Sequence, residues 1–288
     1  KKTGGNPFFV NQFLRTLYNE KMIVHEGAHG WQWDVSKISN MQMTDSLVEM
    51  MAGKIEKLSS SARDILKICA CIGNRFDLET VAAVLNTSVD TALNDLTEAI
   101  HEGMVSRFGD FYVFHHDRIY EAAYSLVGEQ EKAVLHYRIG NILLASADEK
   151  DLPNKLFYIV DQLNLGVAMI RDGAMREKLV RLNLEAGGRA KDSAAYAPAF
   201  RYLKNGLDLL EENPWVNQYE LTLALYTEST EAAYLMGDYE KMNDLAAVAL
   251  KYARTTLERA RIYSSCIYAC VAREDYQGAI DVAMPILK

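Results

Sequence analysis

The chain has 288 residues, of which 49% are hydrophobic and only 5 are proline, and its formal net charge is −8 at pH 7. This length allows two or three domains, and the composition favours long helices over an all-β protein. The negative charge argues against nucleic acid or an anionic membrane as the main partner. The sequence has no run of 18 or more apolar residues, so it predicts no membrane span.

The four cysteines, Cys69, Cys71, Cys266 and Cys270, predict buried and reduced thiols. A zinc site would need further Cys or His ligands at zinc spacing, and none lie nearby in sequence, so we expect no metal. Free cysteine is commonly a buried, small apolar residue, which favours a reducing, cytoplasmic location. The chain begins at Lys1 rather than Met and has no secretory signal, which predicts a segment of a longer polypeptide.

The first fifty-six residues predict a mainly helical region. Pro7 suits a first helical turn, and apolar residues follow it at helical spacing, namely Phe9, Val10, Phe13, Leu14 and Leu17. Two glycines break the pattern over residues 25–30, and Trp31-Gln32-Trp33 indicates a short extended piece. Helical periodicity resumes over residues 45–55.

Residues 58–128 predict three short helices, a β-hairpin and a further helix, which is the layout of a winged helix. The hairpin would join residues 104–108 to 111–114 through Gly109-Asp110, and residues 116–126 would form the further helix. The helix ends are marked by caps and stops: Ser59 or Ser60 before residues 62–72, Gly73-Asn74 after them, Asp77 before residues 78–85, Ser88 or Asp90 before the third helix, and Gly103 after it.

From residue 129 onward the sequence predicts helices alone. Three segments align on their first residues, Tyr196, Tyr239 and Tyr276, which are 43 and 37 residues apart and so lie near the tetratricopeptide period of about 34. Gly237-Asp238 and Glu274-Asp275 predict turns between paired helices, and such pairs bury their apolar faces by stacking. The pairs are clear from about residue 186, whereas residues 129–185 are helical with an uncertain repeat register.

Four blocks in chain order, at residues 5–9, 31–34, 66–73 and 114–124, resemble the region that follows the nucleotide-binding core of AAA+-related signal-transducing (STAND) ATPases. The nearest similarity is to large serine/threonine kinase–ATPase–histidine kinase hybrid proteins, and it covers most of residues 4–210. The resemblance implies a mainly α fold with a helical lid at residues 1–56, a winged helix at 57–128 and tetratricopeptide-like repeats at 129–288.

The resemblance also implies a role for Gly5 and Pro7, because the Gly-x-Pro of the lid places its proline against the adenine of bound nucleotide. The alternative is an ordinary proline in a first helical turn. If Gly5 and Pro7 do have the adenine-binding role, ATP or ADP would bind only in the full-length parent protein. This chain has no Gly-x4-Gly-Lys-Ser/Thr phosphate loop and no recognisable acidic Mg²⁺-binding strand, and hydrolysis needs both. We therefore expect the chain itself to be no enzyme and to bind no cofactor.

His115-His116-Asp117 could suggest a metal phosphohydrolase, in which adjacent His and Asp share a metal. Further ligands would be required, and neither His101 nor His136 is suitably arranged. We favour a helix cap, with Asp117 near the start of a helix.

A DNA-binding winged helix would read DNA with its third helix. Here that helix carries Asp90, Asp95 and Glu98 but no Lys or Arg, so we expect no nucleic-acid binding. In the repeats we expect most tyrosines to pack in the core and a few to line a concave groove; the tyrosines considered are Tyr196, Tyr202, Tyr226, Tyr234, Tyr239, Tyr263, Tyr268 and Tyr276.

The leading hypothesis is a non-catalytic regulatory and scaffolding segment that couples an upstream nucleotide-binding domain of the same polypeptide to a protein or peptide bound by the repeats. One alternative is a stand-alone peptide-binding repeat protein, and a less favoured one is a winged-helix transcription regulator. The first hypothesis requires residues 58–128 to form three helices and a hairpin.

Overall fold

The computed structural model describes residues 21–26, 30–35, 47–148 and 150–284, together with Val10, Leu14, Leu17, Tyr18 and Ile38. The predicted mainly α fold is confirmed. The chain forms two compact units, one of residues 1–82 with 87–127 and one of residues 83–86 with 128–288. The division of the first unit into a lid and a winged helix stays a prediction.

An antiparallel pair of strands, β1 (Ile23–Glu26) and β2 (Gly30–Trp33), lies near the start of the first unit. The extended piece at Trp31-Gln32-Trp33 is confirmed, but β1 was not predicted. The reason is that four residues beside a helical pattern are too few to show a period of two. Trp31 packs edge-on against Tyr18 and His25, with ring centroids 5.9 and 5.1 Å away.

The helix predicted after Pro7 falls mostly on residues outside those that the structure describes, and Gly5 and Pro7 themselves lie there too. Val10, Leu14, Leu17 and Tyr18 are helical. Leu17 is buried, whereas the other three side chains are exposed. Helix α1 (Leu47–Ile55) agrees with the predicted helix over residues 45–55 as far as it is described.

Residues 58–128 contain every element that the sequence predicts for them. These are α2 (Ser60–Ile72), α3 (Leu78–Leu85), α4 (Val89–His101), the hairpin of β4 (Val105–Phe108) and β5 (Phe111–Phe114), and α5 (Asp117–Ser125). Phe108 pairs with Phe111 across the two-residue loop. Gly109 has a φ of 65°, which suits a glycine in a tight hairpin.

A third strand, β3 (Arg75–Phe76), extends this sheet in the order β3-β5-β4, with every pairing antiparallel. The sequence did not predict β3 because two residues between a helix stop and a helix cap show no alternation. Phe76 is buried and stacks on Tyr112 with ring centroids 6.1 Å apart. The strand thus places a large aromatic side chain in the core beneath the hairpin.

The caps of α2 to α4 follow the sequence. The Ser59 hydroxyl accepts the backbone N–H of Ala62 at 3.3 Å, and Asp77 and Ser88 cap the two following helices. No Glu follows Ser59 at the position that would complete a capping box. Instead Glu98 of α4, 39 residues away, accepts the backbone N–H of Ser59 at 3.1 Å. This contact joins α2 to α4, and α2 packs against both α4 and α5.

The second unit is a stack of helical pairs, and the predicted tetratricopeptide-like solenoid is confirmed. The pairs are α6 (Glu129–Ser146) with α7 (Leu152–Leu165), α8 (Gly173–Asp192) with α9 (Tyr196–Asp208), α11 (Tyr219–Leu235) with α12 (Tyr239–Tyr252), and α13 (Thr256–Ala272) with α14 (Tyr276–Ala283). A one-turn helix, α10 (Pro214–Asn217), precedes α11. The uncertain region over residues 129–185 therefore holds one full pair and the start of the next.

Three of the connecting turns share one backbone conformation. In each turn, the residue two positions before the aligned tyrosine is left-handed, with φ of 57° at Ala194, 77° at Gly237 and 60° at Glu274. The next residue then donates its backbone N–H to the carbonyl five positions back, at 2.9 Å in all three turns. The first of these turns, Ala194-Ala195, carries none of the usual turn residues, so the sequence predicted only the other two.

Small residues let the two helices of a pair approach closely. A Cβ at Gly187 of α8 would lie 2.5 Å from Cγ of Leu203 in α9, and one at Gly140 of α6 would lie 2.6 Å from Cδ2 of Leu163 in α7. Real atoms do not approach so closely, so both positions need glycine unless the leucine moves. The same Gly–Leu contact in consecutive pairs fixes the repeat register that the sequence left uncertain.

Candidate functional site

A groove runs across the first helices of three successive pairs. Its larger part, of about 660 Å³, is lined by α11 and α13. A smaller part of about 340 Å³ lies between α8 and α11, and the two parts share Ala224 and Glu228. Because the groove is built from separate repeats, no short sequence motif encodes it.

An ion triad joins α8 to α11 where the two parts of the groove meet. The Lys191 ammonium donates to Glu228 at 2.6 Å and to Glu231 at 2.5 Å. Burial alone would lower the pKa of Lys191, but the two carboxylates raise the pKa above its ordinary value. The lysine side chain is 15% exposed and the two glutamates are 33% and 43% exposed. The triad therefore carries a net negative charge, and its carboxylates face solvent more than its ammonium does.

Tyrosine rings form an aromatic wall beside this triad. Tyr234 of α11 and Tyr268 of α13 are stacked, with ring centroids 6.4 Å apart and an interplanar angle of 28°. Tyr268 lies within helix α13, and its side chain is 60% exposed. A large exposed aromatic side chain beside a groove is typical of a recognition surface.

Glu258, which also lines the groove, has a structural role. Its carboxylate accepts the backbone N–H groups of Arg254 and Thr255, at 2.7 and 2.9 Å, and the hydroxyl of Tyr219 at 2.9 Å. The Thr255 hydroxyl accepts the N–H of Glu258 in return, so the two residues form a capping box at the start of α13. The N–H of Thr255 is the main cause that holds the pKa of Glu258 below its ordinary value. This carboxylate is thus committed to the helix end.

Further charges surround the groove. Asp192 and Glu220 are exposed on the α8 and α11 sides, and Arg261 is exposed on the α13 side. Carboxylates outnumber basic groups among the lining residues, and the excess lies toward α8 and α11. The groove is therefore acidic along α8 and α11, and it carries a cation at α13.

The sequence predicted that most tyrosines of the repeats pack in the core and that a few line a groove. Among the eight tyrosines considered, Tyr202 is buried, Tyr268 and Tyr276 are exposed and the other five are half-buried. Tyr234 and Tyr268 line the groove. Tyr226 stacks on Trp215 with ring centroids 5.2 Å apart. The triad was missed, because Lys191 lies 37 and 40 residues before its partners. The spacing of Glu228 and Glu231, three residues apart on one helix face, was the available signal.

The other candidate residues lie apart from the groove in sequence and have local roles. The Nδ1 atom of His116 accepts the backbone N–H of Arg118 at 3.1 Å, which makes His116 the N-cap of α5. Asp117 lies in the first turn, as predicted, and its carboxylate accepts the side-chain amide of Asn74 at 3.4 Å. Within the described ranges, no group of three or more His, Cys, Asp or Glu residues could hold a metal ion.

The four cysteines are free thiols. Cys69, Cys71 and Cys266 are buried, as predicted, and Cys270 is partly buried. Burial raises the pKa of Cys69 well above its ordinary value and also raises the pKa of Cys266. A thiol must ionise to act as a nucleophile, so these two are poorly suited to catalysis. None of the helices described here is long and apolar enough to cross a membrane.

Comparisons with known proteins give a signalling relative. No protein-family profile matches the chain. Hybrid signal transduction histidine kinase G of Dictyostelium discoideum is 26% identical over 350 residues, an alignment that covers 100% of this chain and 10% of the relative. The crystal structure of a signal transduction ATPase with numerous domains (STAND) protein with a tetratricopeptide repeat sensor from Pyrococcus horikoshii matches 84% of this chain and 40% of its own, with 15% identity and a TM-score of 0.36. The chain thus spans about a tenth of the kinase and is similar to that part of it.

Proposed function

We propose that the chain is a non-catalytic regulatory and scaffolding segment of a signal-transducing ATPase. It would couple an upstream nucleotide-binding domain of the same polypeptide to a protein bound by the helical repeats. The order of the four sequence blocks and the similarity to a segment of a hybrid signal transduction histidine kinase support the signalling context. The observation that carries the binding role is the groove shared by α8, α11 and α13.

Residues 1–56 and 57–128 are the lid and the winged helix of this proposal. The three helices and three-stranded sheet over residues 60–114 support a winged-helix arrangement. Its third helix, α4, is acidic, and its Glu98 is bound to the N-terminus of α2. The acidic helix argues against contact with DNA, and we propose that the element instead packs on the nucleotide-binding domain, as the STAND resemblance implies. Gly5 and Pro7 would contact adenine, with ATP or ADP bound in the parent protein alone.

Isothermal titration calorimetry of the chain with ATP and ADP tests the non-catalytic part of the proposal. We expect no binding at micromolar nucleotide, because the sequence lacks a phosphate loop. Tight binding by the chain alone would contradict the claim that the nucleotide core lies elsewhere in the polypeptide.

Hydrogen–deuterium exchange on the longer polypeptide, with ATP and with ADP, tests the coupling. We expect the nucleotide to change amide protection in residues 47–127 and along the groove helices α8, α11 and α13. If neither region responds while the upstream domain does, the coupling is wrong.

A stand-alone peptide-binding repeat protein is the second candidate, because the groove lies within the second unit. It predicts peptide binding that is independent of nucleotide. The exchange experiment separates the two candidates, and a mobility-shift assay showing salt-dependent DNA binding would favour the transcription regulator instead.

A further inference from the structure

The charges of the groove are arranged to favour a cationic ligand. Lys191 is shared between Glu228 and Glu231, so the one lysine neutralises only one of two carboxylates. The carboxylates are the more exposed partners and retain unused acceptor positions. A ligand cation that reached them would complete the charge balance of the triad.

The tyrosine wall favours the same ligand by an independent interaction. Tyr234 and Tyr268 present ring surface to the groove beside the carboxylates. An aromatic face attracts a cation through its quadrupole, whereas it offers an anion nothing comparable. The carboxylates and the tyrosine faces of the groove thus both favour a positively charged ligand.

We infer that the groove binds a basic peptide segment of a partner protein, with an arginine side chain against the Glu228–Glu231 carboxylates and the tyrosine wall. This inference rests on the proposed function and specifies the chemistry of the partner. Arginine fits better than lysine, because its planar guanidinium can bind a carboxylate through two hydrogen bonds while stacking on a ring.

The position of Arg261 orients the peptide. This exposed cation lines the groove on α13, away from the α8 side where the triad begins. Arg261 repels a basic side chain placed near it, and it lies seven residues before Tyr268 on α13. We therefore place the arginine beside Tyr268 and the Glu228–Glu231 carboxylates, and an uncharged or acidic residue near Arg261.

The size of the groove favours a peptide over a small cation. Neighbouring helix axes lie about 10 Å apart, so a ligand that touches α8, α11 and α13 spans about 20 Å. An extended chain advances about 3.3 Å per residue, so about six residues are needed to span the groove.

The test selects peptides on the intact chain. Random 12-residue peptides displayed on phage are panned against it, and the affinities of the enriched sequences are measured by fluorescence anisotropy after synthesis.

Two groove variants are compared with the wild type. K191M/E228Q/E231Q removes the charges of the triad together, which leaves no buried ion unpaired, and Y268A removes the exposed ring. The control is D244N, which removes an exposed carboxylate from α12. Unfolding curves confirm that each variant is folded.

We expect enrichment of arginine and affinity that falls with added salt. Replacing the key arginine of a peptide with glutamine should weaken binding about tenfold, and with lysine by less. The triad variant should also weaken binding about tenfold, Y268A should weaken it severalfold, and D244N should leave it unchanged.

Two outcomes overturn the inference in different ways. If acidic or wholly apolar peptides are enriched and Y268A abolishes their binding, the groove binds peptides as proposed but the basic partner is wrong. If no enriched peptide responds to either groove variant, the groove is not a peptide site, and the proposed binding function fails with the inference.

Discussion

Two polar pairs, one buried and one partly buried, hold neighbouring helices of the stack together. Asn164 of α7 and Asn183 of α8 exchange two amide hydrogen bonds, each of 2.9 Å. His136 of α6 and Gln162 of α7 are joined at 2.7 Å between Nδ1 and Oε1. Buried polar groups are costly unless paired, so each pair specifies how its two helices align.

Replacing Asn183 with leucine should lower the free energy of unfolding by about 1–3 kcal/mol, because the partner amide of Asn164 is left without its hydrogen bonds. The double variant N164L/N183L should lose less than the sum of the two single variants, since it removes both polar groups. Urea denaturation monitored by circular dichroism measures these values. Additive losses would show that the two amides are not coupled.

The stability of the chain should fall as the pH drops below about 6.5, because burial lowers the pKa of His136 from its ordinary value of 6.5. The nearby charge of Lys132 also lowers this pKa, whereas the hydrogen bond that the ring makes to the amide oxygen of Gln162 raises it. Above that pH the histidine is neutral in both states. Below it the unfolded chain takes up a proton that the folded chain resists, with a slope of up to about 1.4 kcal/mol per pH unit.

The variant H136Q isolates this effect, because it keeps a polar partner for Gln162 and does not titrate. Urea denaturation of both proteins between pH 5 and pH 7.5 gives the difference in unfolding free energy. A difference that does not change with pH would contradict the assignment to His136.

At the scale of the element, the three left-handed turns have the same backbone conformation but different residues at the left-handed position. Ala194 is exposed and adopts a φ of 57°, whereas Gly237 occupies the equivalent position in the next pair. A residue other than glycine destabilises the folded chain by about 1–2 kcal/mol in this conformation. Glycine lowers the free energy of unfolding by about 0.4–1 kcal/mol for a different reason, because it gives the unfolded chain more conformational freedom.

We therefore expect A194G to stabilise the chain by about 0.5 kcal/mol, and G237A to destabilise it by about 0.5–1 kcal/mol. A Cβ at Gly237 would meet nothing within 4 Å, so the second change tests conformation without a clash. Thermal and urea unfolding of the two variants supply the measurement. A change of the same sign in both would mean that the turns are not equivalent.

Much of the fold could be predicted, because many of its helices begin or end at residues that are local signals for a helix boundary. Ser59, Asp77 and Ser88 cap the helices that they precede. What could not be predicted depends on contacts distant in sequence or on conformations without a preferred residue. Strand β3 exists only because β5 pairs with it, and the turn at Ala194 has no glycine. The ion triad of the groove likewise needs α8 and α11 side by side.

At the scale of the whole molecule, the chain comprises two compact units. Leu66 of α2 is fully buried in the first unit, and Gly187 lies at the contact between α8 and α9 in the second. Proteins with several units often depart from two-state unfolding. A local defect should then affect the unit that contains it.

We expect two transitions in differential scanning calorimetry. L66A should lower the midpoint of one, since a Leu-to-Ala change in a core costs about 2–5 kcal/mol. G187A should lower the midpoint of the other, since overpacking costs about 1–3 kcal/mol. A single transition that both variants shift equally would show that the units unfold together.

The groove has a property that follows from its three separate walls. Since α8, α11 and α13 belong to different pairs, a segment bound across them is sensitive to the rotation of each pair on the next. Any event that changes this rotation changes the affinity for the segment, and by thermodynamic linkage the bound segment favours one rotation in return. If the proposed segment binds, the rotation between pairs and the occupancy of the groove are thus two readouts of a single equilibrium.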